Sequence, residues 1–165
     1  MPVLLLIAGE GRDVGKTLLG ERLVKRLSST GLRVGVVKHV HHGVDYRVKD
    51  TGRYLGAGAS RVVAAGPREY MVVEGRRLGF WEAIGLLGDV DVVVVEGFRD
   101  HIPEVVRHGG CAAYIHRDGS AEIIPVGVKA PSLDEALALL LEMVRRGECR
   151  SSPPTSGEHS SQGAA

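Results

Sequence analysis

The apolar run Val3-Leu4-Leu5-Leu6-Ile7-Ala8 leads directly into Gly9-Glu10-Gly11-Arg12-Asp13-Val14-Gly15-Lys16-Thr17, and Leu19, Leu23, Val24 and Leu27 then recur at helical spacing up to Gly31. A short continuous apolar run is what a strand buried on both faces of a parallel sheet looks like. The chain therefore reads as strand, glycine-rich loop, helix. In that arrangement successive backbone N–H groups and the positive end of the helix dipole converge on phosphate oxygens. Lys16 is placed to reach β- and γ-phosphates and the Thr17 hydroxyl to ligate Mg²⁺. Gly11, Arg12, Asp13, Val14, Gly15 and Leu18 complete the candidate nucleotide-binding set, with Arg12 a candidate for stabilising developing charge. The glycine spacing is irregular. The usual phosphate loop has a glycine five positions before Gly15, where this chain has Glu10, so the loop is one residue longer if it begins at Gly9.

Further along, Arg33-Val34-Gly35-Val36-Val37-Lys38 reads as a second strand and the polar, histidine-bearing stretch after it as a functional loop. Asp50 can cap a short helix over 50–55, and strands are expected at 60–65 and 69–73 about a Gly66-Pro67 turn. Phe80, Ile84 and Leu87 mark a helix ending at Gly88. Asp91-Val92-Val93-Val94-Val95-Glu96-Gly97 has the four consecutive valines of a central parallel strand, with an acid at its carboxyl end, where open α/β sheets bind ligands. Shorter strands are expected at 103–107, 112–116 and 122–128. Ser132 and Glu135 form a capping box for a last helix that carries Leu133, Leu137, Leu140, Leu141 and Val144 on one face. These elements predict an α/β fold of the P-loop NTPase type, a mostly parallel central sheet with helices on both faces. One domain is expected over 1–147, followed by a disordered Ser/Pro/Gly-rich tail over 148–165.

The length of 165 residues and a hydrophobic fraction of 44% suit a single core. With 21 basic and 20 acidic residues the formal charge is +1, so no global field recruits nucleic acid or an anionic membrane. Base stacking would have to rely on two phenylalanines and one tryptophan, which disfavours a nucleic-acid module. The first apolar run is too short for a membrane span and lacks a basic leader, so a cytoplasmic protein is expected. Cys111 and Cys149 form no Cys-x-x-Cys pair and read as ordinary thiols, although intracellular disulfides do occur in hyperthermophiles.

Mg²⁺ at a phosphate loop calls for a carboxylate at the end of a neighbouring strand, and Glu96 is the leading candidate. Asp91, about five residues earlier and hence roughly 17 Å away along a strand, is too far to share that site. Lys38 ends the second strand on the same sheet edge as the loop. The following His39, His41 and His42 admit three readings: a transition-metal site, a solvated loop, or donors toward a triphosphate or second substrate. The third is preferred for Lys38 and His39. Asp45, Asp50 and Thr51 could supply a further Mg²⁺ contact or a switch that orders with the γ-phosphate, Asp50 being equally suited to helix capping. Lys129, at the end of Val126-Gly127-Val128-Lys129, is a candidate wall for a base. No Asn-Lys-x-Asp guanine-reading motif occurs.

Four segments together resemble the molybdopterin-guanine dinucleotide biosynthesis protein B family over residues 3–144. They are Gly15-Lys16-Thr17; Val37-Lys38-His39-Val40-His41-His42; Lys49-Asp50-Thr51 with Gly56-Ala57-Gly58-Ala59; and Val94-Val95-Glu96-Gly97-Phe98-Arg99. The resemblance implies a GTP-binding, dimeric adapter with slow GTP hydrolysis. It implies a guanylyltransferase partner that attaches GMP to molybdopterin, and a site in which Lys16, Lys38 and Glu96 do the chemistry while Thr17, Glu96 and Asp50 face Mg²⁺. The alternative is an ATP-dependent ligase similar to dethiobiotin synthetase, which shares the longer loop and a Val-Gly-Lys-Thr ending. There the second strand ends in Lys-Pro, whereas here His39 follows Lys38.

Overall fold

The computed structural model describes residues 1–43, 50–152 and 154. The chain runs β1 (Val3–Gly9), α1 (Lys16–Ser28), β2 (Val34–Lys38), α2 (Asp50–Gly56), β3 (Arg61–Ala65), β4 (Tyr70–Glu74), α3 (Phe80–Gly85), β5 (Val92–Glu96), α4 (Ile102–Arg107), β6 (Cys111–Ile115), β7 (Ala121–Ile124), β8 (Val128–Ala130) and α5 (Leu133–Arg145). It divides into two compact units, Met1–His39 with Phe80–Ala165, and Val40–Gly79. The sequence reading has one domain over 1–147. The second unit is separately compact because β3 and β4 pair with each other in their own two-stranded sheet.

The larger unit is built on a six-stranded sheet in the order β2-β5-β1-β6-β7-β8. The first four strands run parallel, β7 pairs antiparallel with β6, and β8 pairs antiparallel with β7. Side chains alternate across a strand, and β1 has a core on each side. Val3, Leu5 and Ile7 pack with Leu19, Leu23 and Leu27 of α1 and Ala136, Leu140 and Met143 of α5. Leu4, Leu6 and Ala8 pack with Phe80 of α3 and Val105 of α4. Leu4, Leu5, Leu6 and Ile7 are each at most 1% exposed. Such side chains contribute about 1.5–3 kcal/mol apiece by leaving water, which makes β1 the structural centre.

Two expected strands differ. Residues 103–107, read as a strand, form α4: Pro103 sits in the first turn, where its missing N–H costs nothing, and Val105 is buried against the sheet. The helix is the crossover that carries the chain from β5 to the parallel strand β6. Residues 122–128 are not one strand but the end of β7 and the start of β8, because the chain turns at Pro125, which has no N–H for a ladder, and at Gly127, whose φ is +71°.

The segment after α5 also departs from expectation. The sequence reading places 148–152 in a disordered tail, yet Leu4 donates to the Cys149 carbonyl (2.8 Å), Ser151 to that of Pro2 (3.0 Å) and Ser152 to that of His108 (3.1 Å). β6 joins β1 only from Leu5 onward, so the edge of β1 before that point is open, and this segment fills it with an antiparallel bridge between Val3 and Arg150. Cys149 and Cys111 are disulfide-bonded, with Cα atoms 5.1 Å apart, and are not ordinary thiols. Residues 155–165 lie outside the described residues.

Asp91, too far along β5 to share the Glu96 site, braces the sheet end opposite the phosphate loop. Its carboxylate accepts from the Arg33 backbone N–H (2.7 Å) and guanidinium (3.0 and 3.2 Å), while Asp89 takes the remaining arm (2.9 Å). The Arg33 side chain, then its backbone N–H, hold the Asp91 carboxyl below its usual range. A carboxyl depressed in the folded state stabilises that state above its unfolded value, near pH 4, and the contribution is lost as pH falls through the lowered folded value. Asp91→Asn should thus be less stable than wild type by a constant margin from pH 7 to about pH 5, with the gap closing on further acidification. Denaturant titrations across this range test it, and a gap that persists or widens in acid contradicts it.

In the smaller unit α2 packs against β3. Gly66 donates to the Glu69 carbonyl (2.8 Å) to close the β3–β4 turn. Register pairs Val63 with Val72 and Ala65 with Tyr70 on one face, with Arg61 ion-paired to Glu74 at its end. Val63, Tyr70 and Val72 are all exposed.

Candidate functional site

Strand periodicity decides which side chains meet at the phosphate loop. Glu96 follows Val92 and Val94 on the α1 face of β5, and Lys38, alternating with the opposite-facing Val37, lies on that same face of β2. Register pairs Glu96 with both Ile7 and Lys38, at the carboxyl ends of three adjacent strands. Thr17, in the first turn of α1, donates its hydroxyl to Glu96 Oε1 (3.0 Å), and Lys38 Nζ stands 3.8 Å from the same oxygen. Lys16 turns back across the loop and donates to the Gly11 carbonyl. Thr17, Glu96 and Lys38 are thus brought together, while the Lys16 side chain lies on the loop backbone. A hydroxyl and a carboxylate side by side form an oxygen donor set that suits a hard divalent cation such as Mg²⁺.

Backbone conformation shapes the loop. Gly15 has φ +108°, and a Cβ there would lie 2.6 Å from Leu133 Cδ1, so the first turn of α5 closes directly on the loop's end. Asp13 is left-handed (φ +57°), and Arg12 and Leu18 are exposed. At the end of β5, a Cβ on Gly97 (φ +91°) would sit 2.7 Å from His39 Cβ. His39 donates its backbone N–H to the Glu96 carbonyl (2.9 Å), and its ring stacks on Phe98 with centroids 4.4 Å apart. His39 is therefore held beside the end of β5, its ring fixed by Phe98.

A family model described as molybdopterin guanine dinucleotide synthesis protein B, MobB, matches residues 3–126. The chain belongs to the MobB family. A molybdopterin-guanine dinucleotide biosynthesis adapter protein from Haemophilus influenzae is 35% identical over 101 residues, 57% of either chain. An ATP-dependent dethiobiotin synthetase from Rhodopirellula baltica is 32% identical over 120 residues, 59% of this chain and 46% of that one. A MobB homolog of known structure from Bacillus stearothermophilus, 20% identical, covers 87% of this chain and 98% of its own with a TM-score of 0.55, and shares the fold. The chain spans about three-fifths of the length of the curated adapter proteins it matches.

The other candidates of this MobB family member are distributed over both units. Asp50 opens α2 in the smaller unit, with Thr51 beside it, and lies 3.5 Å from Arg53. His41 and His42 are exposed in that unit, and Asp45 lies outside the described residues. Among the described residues no three His, Cys, Asp or Glu side chains gather as a metal site, so the transition-metal reading of the histidines gains no support. Lys129, in β8 opposite Glu122, borders a groove of about 410 Å³ together with Ala130, Pro131, Glu135, Ala138 and Leu139. Among the described residues no helix is long and apolar enough to cross a membrane.

One participant was not legible in advance. Glu10, in the slot where most phosphate loops carry glycine, accepts from His116 Nδ1 and from the Arg117 N–H, each at 2.9 Å. His116 and Arg117 directly follow β6. Only the adjacency of β1 and β6, which sequence alone does not give, connects them to the loop.

Proposed function

We propose that this chain binds GTP with Mg²⁺ and serves in the cytoplasm as an adapter for a guanylyltransferase that joins GMP to molybdopterin. The observation that carries the reading is the hydrogen bond between Thr17 and Glu96 at the start of α1, with Lys38 beside it. Gly11 through Leu18 cradle the phosphates, and Lys16 neutralises the outer ones. Thr17 and Glu96 hold Mg²⁺, and Lys38 offers positive charge to the leaving phosphates. His39 stands toward the second substrate, and Lys129 borders the base. The adapter role follows from family membership and the name of the Haemophilus influenzae relative. We further propose a homodimer, for which the exposed apolar face of Val63, Tyr70 and Val72 supplies a surface of fitting character. Sedimentation equilibrium that finds only monomers at micromolar concentration would remove that element.

A second reading, an ATP-dependent ligase, is favoured by the longer loop and by the likeness to dethiobiotin synthetase. Turnover separates the two. The adapter reading expects slow GTP hydrolysis by the chain alone and a several-fold gain in dinucleotide formation when the cognate guanylyltransferase is present. Rapid ATP consumption with release of a phosphorylated or newly cyclised small molecule would sink it.

A further inference from the structure

Lengthening a phosphate loop by one residue loosens it, since each added residue enlarges the set of conformations the loop must give up to bind. Placing a glutamate in it adds a second problem, because an anion beside a triphosphate site repels the ligand. The structure meets both at once. Glu10 is drawn toward the turn after β6, where its two carboxylate oxygens accept from His116 Nδ1 and the Arg117 N–H, while its own N–H donates to the Ile115 carbonyl (3.0 Å). Its neighbour Gly9 lies so close to that strand end that a Cβ would meet Ile115 O at 3.0 Å and Val14 Cγ2 at 2.7 Å.

The turn that receives Glu10 is itself braced. Asp118 accepts from the Ser120 N–H (2.9 Å) and hydroxyl (2.6 Å), and His116 donates its N–H to the Ser120 carbonyl (2.8 Å). Tyr114 meets the His116 ring edge-on at 5.2 Å. The other end of the loop is fixed independently by Leu133 against Gly15. The Glu10 carboxyl lies below its usual range, chiefly through His116 and then Arg117, in keeping with a carboxylate held ionised in this geometry.

We propose that Glu10 and His116 form a latch that positions the lengthened phosphate loop for a nucleoside triphosphate and keeps the Glu10 charge turned away from it, an inference that rests on the nucleotide reading above. Both are positioning residues. The latch is a hydrogen bond from the Nδ1 position of residue 116, so asparagine, whose amide nitrogen occupies that place, should preserve it, whereas alanine should not.

The test is calorimetric titration of the full chain with MgGTP and, separately, MgATP. His116→Ala should weaken binding about tenfold, a loss of the size expected for one charge-assisted hydrogen bond. His116→Asn should return to within about threefold of wild type, and Glu10→Ala added to His116→Ala should cause no further loss, because the two act as a unit. Melting temperatures of the nucleotide-free variants should fall by no more than a few degrees, the loss expected for one exposed hydrogen bond. An His116→Ala chain that binds like wild type, or an Asn variant as weak as the Ala one, overturns the latch while leaving the nucleotide reading intact. A wild-type chain that binds neither nucleotide overturns both.

Discussion

Lys16→Ala is expected to lower the affinity for MgGTP by at least about a hundredfold without changing the melting temperature of the nucleotide-free chain. Lys16 reaches across the loop to the Gly11 carbonyl and has no place in either hydrophobic core. Its removal therefore leaves folding untouched. In the complex the same ammonium would meet two phosphates, and charge-assisted hydrogen bonds of roughly 1.5–3 kcal/mol each give the stated loss. Calorimetry with differential scanning on the same samples checks both halves. A variant that binds within a fewfold of wild type would mean that the triphosphate does not sit in this loop.

The second large effect concerns stability. Cys111 and Cys149 close a loop with a sequence separation of 38, which in the chain-entropy account stabilises the fold by about 4 kcal/mol. The link pins the segment that fills the open edge of β1, so its loss also frees the backbone bonds at Leu4 and Ser151. For a chain of this size, roughly 10 °C of melting temperature should disappear on reduction. Cys111→Ser/Cys149→Ser should melt at the reduced wild-type temperature and ignore reductant. MgGTP affinity should be unchanged, since Cys111 lies at the amino end of β6, opposite to the end that meets the phosphate loop. Equal melting temperatures with and without reductant, together with two titratable thiols, would contradict the pairing.

What could be read in advance follows from the range of the signals. The runs 3–8 and 92–95 are continuous and apolar because both are buried strands, and the turn from strand to helix at Gly15-Lys16-Thr17 is local chemistry. The placement of Glu96 beside Thr17 could be anticipated because a carboxylate ending such a strand lies at the sheet's carboxyl edge. Residues 103–107 read as a strand because a short β-branched run has no period long enough to tell helix from strand, and the deciding fact, that β5 and β6 are parallel and need a crossover, is not local. The Cys111–Cys149 link and the Glu10–His116 contact were hidden for the same reason: each joins residues separated widely in sequence, 38 apart for the cysteines and 106 for the latch, through the neighbouring positions of β1 and β6.

The most direct test of the central claim is titration of the wild-type chain with GTP and ATP, each with and without Mg²⁺. One saturable site per chain is expected, tighter for GTP than for ATP and weakened when Mg²⁺ is removed, as a site built on Thr17 and Glu96 requires. Binding indifferent to Mg²⁺, a preference for ATP, or no binding at all would contradict it.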